Sequence, residues 1–367
     1  MGVRDSEAGR PEGRGAPVPI ETLRVRCNAS AKLWQRMFGA LTLAAYREAG
    51  AETLRKLWWE LEHEHHKDYF VPGLKKLGID KLPPAVAAAQ YHYLTNVIGG
   101  LAMHYMEESP RKVWIRYCAP AWTYAGVALA GVPQGVRRHG TFSSWHPYNG
   151  VSMGTRRLQW VITKMMDEGD PYDEGYFHEV DRDLADSELV RCQPAERTPE
   201  FDPAKAPKFD PADWPEPRLL KAKRNFSRDY TERTVATLYA MIGTHRTHAV
   251  VRHASRTMAV QLAQELQRDL GTTGSDVDAF VRTVAGILDA CGQPYKLERP
   301  SAKAAHFVLD GLLPFKDPAD ELRDAYFQFF VNAARVLNGH LKVERTPYRR
   351  GAEQESWTIE DAGRWLW

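Results

Sequence analysis

Tyr46-Arg47-Glu48-Ala49-Gly50 closes a helical pattern near the start of this 367-residue chain, and Tyr239-Ala240-Met241-Ile242-Gly243 closes another one 193 residues later. In both places a tyrosine precedes a glycine by four residues, and a second stretch with helical spacing follows the glycine. Because glycine readily interrupts a helix, the pair predicts two lobes that each begin with a helix, a glycine and a second helix.

The same offset of 193 residues relates further residues of the two halves. The matched pairs are Leu77-Gly78 with Leu270-Gly271, Gly99 with Gly292, Trp114 with Phe307, and Trp122 with Phe315. Each half also closes in a hairpin pattern, with Leu158 and Thr163 before Gly169, and Leu341 and Thr346 before Gly351. These positions predict an internal duplication. The alternative is two unrelated lobes, each with helices and a final hairpin, that share ordinary helix-ending residues.

The expected fold class is α+β, with two similar lobes in which several helices pack on a small, mostly antiparallel sheet that ends in a hairpin. Residues 1–19 are predicted to be a disordered tail. Residues 20–192 are predicted to form the N-terminal lobe, which holds the candidate site, and residues 225–367 to form a C-terminal lobe that is a degenerate repeat. Residues 193–224 are rich in proline and predict an extended connector. The aromatic side chains expected to hold this connector to the surface are those of Phe201, Phe209 and Trp214.

Apolar spacing gives an expected order of elements within each lobe. In the first lobe it predicts helices over 29–46, 51–70, 83–107 and 122–130, and strands over 112–117, 141–145, 158–165 and 173–179. In the second lobe it predicts helices over 229–241, 244–270, 276–291 and 320–337, and strands over 304–309, 341–346 and 355–359.

Composition narrows the classes of partner. The formal net charge is only +2 and the basic residues are mixed with acidic ones, so nucleic acid is not an expected partner. No apolar run approaches the ~20 residues that span a bilayer, so no membrane partner is expected either. Four cysteines without a CxxC pair fit a reducing compartment, and we expect a cytoplasmic protein. A small-molecule substrate is the expected partner, and a homo-oligomer is left open.

Glu60-Leu61-Glu62-His63-Glu64-His65-His66 is the densest group of titratable residues. On a helix, Glu62 and His66 share one face, while His65 lies on the apolar stripe. Imidazole and carboxylate at this spacing suit a base with its orienting partner, or the ligands of a divalent metal. The plainer interpretation is a solvated charged face with His65 as a core residue. At the 193-residue offset Glu62, His65 and His66 are replaced by Ser255, Met258 and Ala259, which favours a role confined to the first lobe.

Two further segments supply candidate residues. His92 and Asn96 share a face of the third predicted helix, where Gly99-Gly100 inside the helix would suit a close approach of backbone or ligand, or tight helix packing alone. Ser143 to Gly150 is a predicted loop rich in donors, a composition that lines binding sites, although Asn149-Gly150 equally fits a simple turn. Its candidate substrate-binding or catalytic residues are Trp145, His146, Tyr148 and Asn149.

The hairpin from Asn338 through Gly351 to Trp357 resembles the C-terminal hairpin of the L-2-amino-thiazoline-4-carboxylic acid hydrolase-like family. Cys118, after the Trp114–Tyr117 strand, stands where such proteins often carry a cysteine. This resemblance implies a small-molecule hydrolase that opens a C–N bond in a ring. The chain departs from the family in its predicted duplication and in lacking a cysteine in either closing hairpin, near Tyr172 and Glu355.

Three functional hypotheses follow. The first is a hydrolase in which His65, His66 or His92 is the general base, while His146, Asn96, Trp145, Tyr148, Asn149 and Cys118 bind substrate or assist. It needs no cofactor, and no nucleotide cofactor is expected because no P-loop or dinucleotide fingerprint occurs. The second is a metal-dependent oxygenase or lyase with ligands Glu62, His65, His66 and His92. The third is a non-catalytic protein that binds a small ligand.

Overall fold

The structure is a computed structural model, and it describes residues 18–120, 131–194, 196–312, 314–315, 319–347 and 354–367. The predicted tail, except for residues 18 and 19, lies outside these ranges, as do the predicted helix over 122–130 and the turn at Gly351. Within them the chain combines long helices with two sheets, so the predicted α+β class is confirmed. No helix in the described part has both the length and the apolar character needed to cross a membrane.

The chain divides into two compact units that interleave along the sequence. Among the described residues, unit 1 comprises Ala49–Ala222, and unit 2 comprises residues up to Glu48 together with Lys223–Trp367. Residues 20–48, which the sequence predicts as part of the N-terminal lobe, belong to unit 2 in the structure.

Unit 1 contains the second half of helix α1 (Ile20–Leu77) and a five-stranded sheet. Its other elements are α2 (Pro84–Ile98), β1 (Met103–Ser109), β2 (Lys112–Cys118), α3 (Val136–His139), α4 (Thr141–Ser144), α5 (Tyr148–Ser152), β3 (Leu158–Lys164), β4 (Tyr172–Glu179) and β5 (Val190–Cys192). The sheet order is β1-β2-β4-β3-β5, antiparallel except for the β3–β5 pair, and α2 packs on β1, β2 and β4.

Unit 2 contains the first half of α1 and a four-stranded sheet of order β6-β7-β9-β8. Its other elements are α6 (Glu216–Asp269), α7 (Val277–Cys291), β6 (Tyr295–Ser301), β7 (Ala304–Asp310), α8 (Asp320–Leu337), β8 (Leu341–Arg345) and β9 (Gln354–Asp361). The side chain of Asp276 caps α7 by accepting a hydrogen bond from the backbone N–H of Ala279 at 2.7 Å.

The two units share one order of elements. α1 is interrupted at Gly50 (φ 82°, ψ 174°) and α6 at Gly243 (φ 74°, ψ 177°), in a backbone region nearly restricted to glycine. α2 and α7 each have 15 residues, and in each sheet the four corresponding strands follow the order first, second, fourth, third.

Each unit also contains a buried ion pair whose acidic residue lies on a corresponding strand, β4 in unit 1 and β9 in unit 2. In unit 1, Arg137 Nε lies 2.8 Å from Asp173 Oδ2, and Asp173 is the second residue of β4. In unit 2, Arg323 Nη1 lies 2.7 Å from Glu355 Oε2, and Glu355 is the second residue of β9. All four side chains are at most 5% exposed, so each pair is sealed from water.

Two predicted elements of unit 1 are wrong. The helix predicted over 83–107 ends at Ile98, because Gly99 caps it and Gly100 turns the backbone to φ 89°, and residues 103–109 form an edge strand instead. Residues 141–145, predicted as a strand, form a helical turn closed by the Trp145 N–H bond to the Thr141 carbonyl oxygen at 3.1 Å. Gly99-Gly100 is therefore a helix end and not a close approach within a helix.

The proline-rich connector lies on the face of the unit 1 sheet that carries Trp114. Phe201 stacks on His104, with 3.9 Å between ring centroids, and packs against the buried cluster of Met106, Trp114, Val161 and Tyr176. Phe209 contacts Trp214, and α6 begins two residues later at Glu216. This connector is thus an ordered cover, and the other face of the sheet is left to the helices.

Candidate functional site

The histidine-rich segment of α1 divides into a solvated side and a buried side. Glu60 and Glu64 are exposed, as expected for a charged helix. Glu62, His65 and His66 are each at most 4% exposed. The buried side points toward α2 and toward the short helices α4 and α5, and it is the side from which a site can be built.

Trp145 lies at the centre of the rings that these elements bring together. Its ring centroid is 4.8 Å from that of His65, 5.5 Å from His66 and 5.9 Å from His92. The indole comes from the turn after α4, while α1 supplies His65 and His66, and α2 supplies His92. Three elements distant in sequence therefore converge on one tryptophan.

His92 and His146 are stacked face to face, with 4.1 Å between ring centroids and an interplanar angle of 8°. Nε2 of His146 is 2.7 Å from the hydroxyl oxygen of Tyr117, and Nε2 of His92 is 2.8 Å from Nδ2 of Asn149. Because an amide NH₂ group only donates, His92 accepts this bond and carries its own proton on Nδ1. Two neutral imidazoles can stack closely, whereas two imidazolium ions would repel each other.

Asn149 is held in place by close packing of the residue that follows it. A Cβ on Gly150 would lie 2.7 Å from Cβ of Leu158 and 2.9 Å from the carbonyl oxygen of Thr155. Only glycine fits against β3 at this distance, so α5 is pressed onto the sheet and the fully buried Asn149 is fixed beside His92. Asn149-Gly150 is part of a helix and not a simple turn.

Burial keeps the imidazoles of this cluster uncharged. It lowers the pKa of His66 to about 4, with further lowering by His63 and His65, while Asn149 favours the protonated form. Burial also lowers the pKa values of His92 and His146 well below the usual range. His66 adds to the lowering of both, and His92 and Arg137 add to that of His146. We call His66, His92, His146, Trp145 and Asn149 the histidine cluster.

Four buried polar atoms of the histidine cluster have no hydrogen-bond partner among the described residues: Nε2 of His66, Nδ1 of His146, Oδ1 of Asn149 and Nε1 of Trp145. Buried polar groups in native proteins are nearly always paired, so such a concentration calls for an explanation. The set includes an indole donor, an amide acceptor and two imidazole nitrogens. Together these atoms supply both donor and acceptor groups.

An ion pair adjoins the histidine cluster through Tyr117. Tyr117 and Asp173 are directly opposite each other on β2 and β4, and Asp173 pairs with Arg137. Burial raises the pKa of the Tyr117 hydroxyl well above its usual range, with Asp173 and Glu62 adding to the rise and Arg137 opposing it. Burial likewise raises the pKa of Asp173 to about 6 against the effect of Arg137.

Tyr117, Arg137 and Asp173 are not among the site residues predicted from the sequence. Tyr117 and Asp173 belong to predicted strands, and the alternation of side chains could have placed both on one face. Their partnership depends on the β2–β4 register, and that of Arg137 depends on a short helix that no pattern predicted.

Other predicted site residues lie at the margin of the histidine cluster or away from it. Tyr148 is partly exposed, with its ring 6.5 Å from that of His66. Asn96 donates to the backbone oxygen of His92 at 2.8 Å, so its amide is used within its own helix. Cys118 lies next to Tyr117 and therefore on the opposite face of β2, where burial raises the pKa of its thiol.

The opposite face of the sheet carries a separate polar group around Glu174. This buried carboxylate accepts hydrogen bonds from Arg116 Nε at 2.9 Å, Lys164 Nζ at 2.6 Å and Thr198 Oγ1 at 2.6 Å. These partners hold its pKa below the usual value although burial acts to raise it. All three donors converge on this one carboxylate, which is typical of a structural ion cluster.

Among the described residues, no group of three or more His, Cys, Asp or Glu side chains is placed to hold a metal ion, and this includes Glu62, His65, His66 and His92. The metal-dependent alternative therefore has no supporting geometry in this part of the chain. No protein-family model matches the sequence, and no curated protein is significantly similar to it.

Proposed function

We propose that unit 1 is a small-molecule hydrolase whose general base is His66. The observation that carries the proposal is the set of unpartnered polar atoms around three buried, neutral imidazoles. At neutral pH an imidazole with a pKa of about 4 is unprotonated, so its lone pair is available to water. Among the candidate histidines, the Nε2 of His66 has no hydrogen-bond partner in the described part of the chain. The neighbouring Asn149 side chain would accept a hydrogen bond from the protonated ring and so favours the form that His66 adopts after taking a proton.

The side of the histidine cluster nearest to solvent gives the direction of substrate entry. His63 and Tyr148 are partly exposed, and their ring centroids are 5.2 Å apart. His66 is buried next to this edge, with its ring centroid 6.5 Å from that of Tyr148. A small planar substrate entering beside Tyr148 would reach His66 before it reaches His92.

In the proposed reaction, water attacks the electrophilic carbon of a C–N bond while Nε2 of His66 takes the water proton. The C–N bond then breaks, and the leaving nitrogen receives that proton from the imidazolium. Asn149 and Trp145 orient the substrate, and His92 positions Asn149 through their 2.8 Å hydrogen bond. The choice of a ring C–N bond rests on the resemblance of the closing hairpin to the thiazoline-carboxylic acid hydrolase-like family.

We further propose that the two units arose by internal duplication and that unit 2 lost the site. The support is the common strand order, the paired helix interruptions, the equal lengths of α2 and α7, and the buried Arg–carboxylate pair in each unit. Ser255, Met258 and Ala259 stand at the positions that correspond to Glu62, His65 and His66. This replacement supports the proposal that the reaction is confined to unit 1.

The test is turnover of a panel of cyclic amides, amidines and thiazoline carboxylates, followed by mass spectrometry for the addition of one water. His66→Gln should reduce kcat at least about a hundredfold, the lower end of what general base catalysis contributes. His139→Gln, which changes an exposed histidine of the same unit, should leave kcat unchanged. Unaltered turnover in His66→Gln would refute the assignment, and ligand-dependent thermal stabilisation without product would indicate a binding protein instead.

A further inference from the structure

Unit 2 has a groove on one face of α6 that the proposed reaction does not use. It encloses about 520 Å³ and is lined by Ala249, Arg252, His253, Arg256, Thr257 and Val260 of α6 and by Asn332 of α8. Residues at these intervals of three and four share one face of a helix. The volume is in the range of small-ligand sites.

The groove has more positive charge than its neighbours neutralise. Arg252 pairs with Asp324 at 2.8 Å, but Arg256 forms no ion pair within the described part of the chain. Burial lowers the pKa of Arg335 of α8, and the positive charge of the nearby Arg256 lowers it further. Nε of Arg335 is buried without a hydrogen-bond partner among the described residues. The Arg335 guanidinium also stacks on the ring of Trp367, with Cζ 3.3 Å from the ring centroid. Like charges on neighbouring guanidinium groups repel each other, and an anion bound between them would relieve this repulsion.

A third cation approaches the same face from α1. Nη1 of Arg47 lies 3.3 Å from Nε2 of His253, and since a guanidinium only donates, His253 accepts and carries its proton on Nδ1. Arg47 thus contacts a ring nitrogen, and it forms no ion pair within the described residues. His253 consequently has a ring N–H available as a donor.

We propose that this groove binds a small organic phosphate monoester. Guanidinium groups bind phosphate oxygens through paired hydrogen bonds. A doubly charged phosphate matches Arg256 of the groove lining, with Arg335 and Arg47 adding positive charge from outside the lining, better than a single carboxylate does. Ala249 and Val260, the latter 63% exposed, give the organic part of the ligand an apolar surface. The site is independent of the reaction proposed for unit 1.

The experiment is isothermal titration of the full-length protein with phenyl phosphate, benzoate and phenol at low salt. We expect saturable one-to-one binding of phenyl phosphate, binding of benzoate at least tenfold weaker, and no binding of phenol. Arg256→Ala should weaken phenyl phosphate binding at least tenfold, and Arg256→Lys should recover only part of it because lysine lacks the planar fork. Arg268→Ala is the matched control, since it removes an exposed arginine from the same helix outside the groove.

Loss of affinity in Arg256→Ala with wild-type affinity in Arg268→Ala would support the site. Equal weakening in both variants would reduce the effect to general electrostatics, and absence of phenyl phosphate binding to the wild-type protein would overturn the proposal. Tighter binding of benzoate than of phenyl phosphate would also overturn it. Circular dichroism of each variant before titration excludes misfolding as the cause of a lost signal.

Discussion

His66 links the proposed chemistry to a measurable pH dependence of stability. Its folded pKa of about 4 lies below the ordinary value of 6.5, so between these values the unfolded chain binds more protons. The stabilisation from its neutral form is therefore present above pH 6.5 and is lost as pH falls toward 4, by up to about 3 kcal/mol. Asp173, with its pKa raised to about 6, acts in the opposite direction: its contribution is present below 3.8 and lost as pH rises through 6.

Because His66 and Asp173 have opposite effects on the pH dependence of stability, variants are more informative than the wild-type dependence alone. We expect His66→Gln to be less sensitive than the wild type to a drop from pH 7 to pH 4.5, as measured by urea denaturation. Asp173→Asn should be more sensitive over the same interval, since it removes the group that gains stability on acidification. His139→Gln should follow the wild type. A wild-type slope in His66→Gln would mean that this imidazole is not held neutral by burial.

The buried pair of Arg137 and Asp173 is the second prediction at the residue scale. Arg137→Met leaves Asp173 buried without its counter-charge and should lower the free energy of unfolding by about 3–5 kcal/mol. Adding Asp173→Asn should restore most of this loss, because the unpaired buried charge is then gone. Chemical denaturation of the two single variants and the double variant measures the coupling. Additive single effects would show that the two side chains do not act as a pair.

The interruption of α1 at Gly50 gives a prediction at the scale of elements. At φ 82° and ψ 174° a Cβ would meet nothing within 4 Å, so the cost of Gly50→Ala is purely conformational. We expect a loss of about 1–3 kcal/mol in the free energy of unfolding, and a similar loss for Gly243→Ala. Glu52→Ala, at an exposed neighbouring position, should change it by less than about 0.5 kcal/mol. Tolerance of alanine at both glycines would argue against these backbone angles.

Helices and strands could be predicted where a single spacing of apolar residues dominates the sequence. α8 begins and ends where its apolar spacing predicts, and β2 and β3 lie where strands were predicted. β1 was missed because His104 and Glu107 also suit a continuing helix, and only the two glycines after Ile98 break it. The histidine cluster was partly foreseen, since dense polar residues on apolar stripes are visible in sequence. Its partners across the sheet were not, because they depend on strand register.

At the scale of the whole molecule, unit 2 is assembled from two distant parts of the sequence. Trp34 and Phe38 of α1 are at most 1% exposed, and they lie against Tyr326 of α8 and Tyr230 of α6. Ion pairs along the same helix join Arg26 to Asp289 at 2.7 Å, and Lys32 to Glu265 at 2.7 Å and to Asp269. A fragment of residues 223–367 would expose the apolar surface that the first half of α1 covers.

We therefore expect the fragment 223–367 to lack a cooperative unfolding transition when expressed alone. Adding a peptide of residues 18–48 should restore the transition, because burial of Trp34 and Phe38 stabilises by several kcal/mol. A peptide with Trp34→Ala and Phe38→Ala keeps the charges of Arg26 and Lys32 and is the matched control, which should not restore it. Thermal denaturation followed by circular dichroism measures each case. A cooperative transition in the fragment without peptide would mean that residues 225–367 suffice as a lobe, as the sequence alone had suggested.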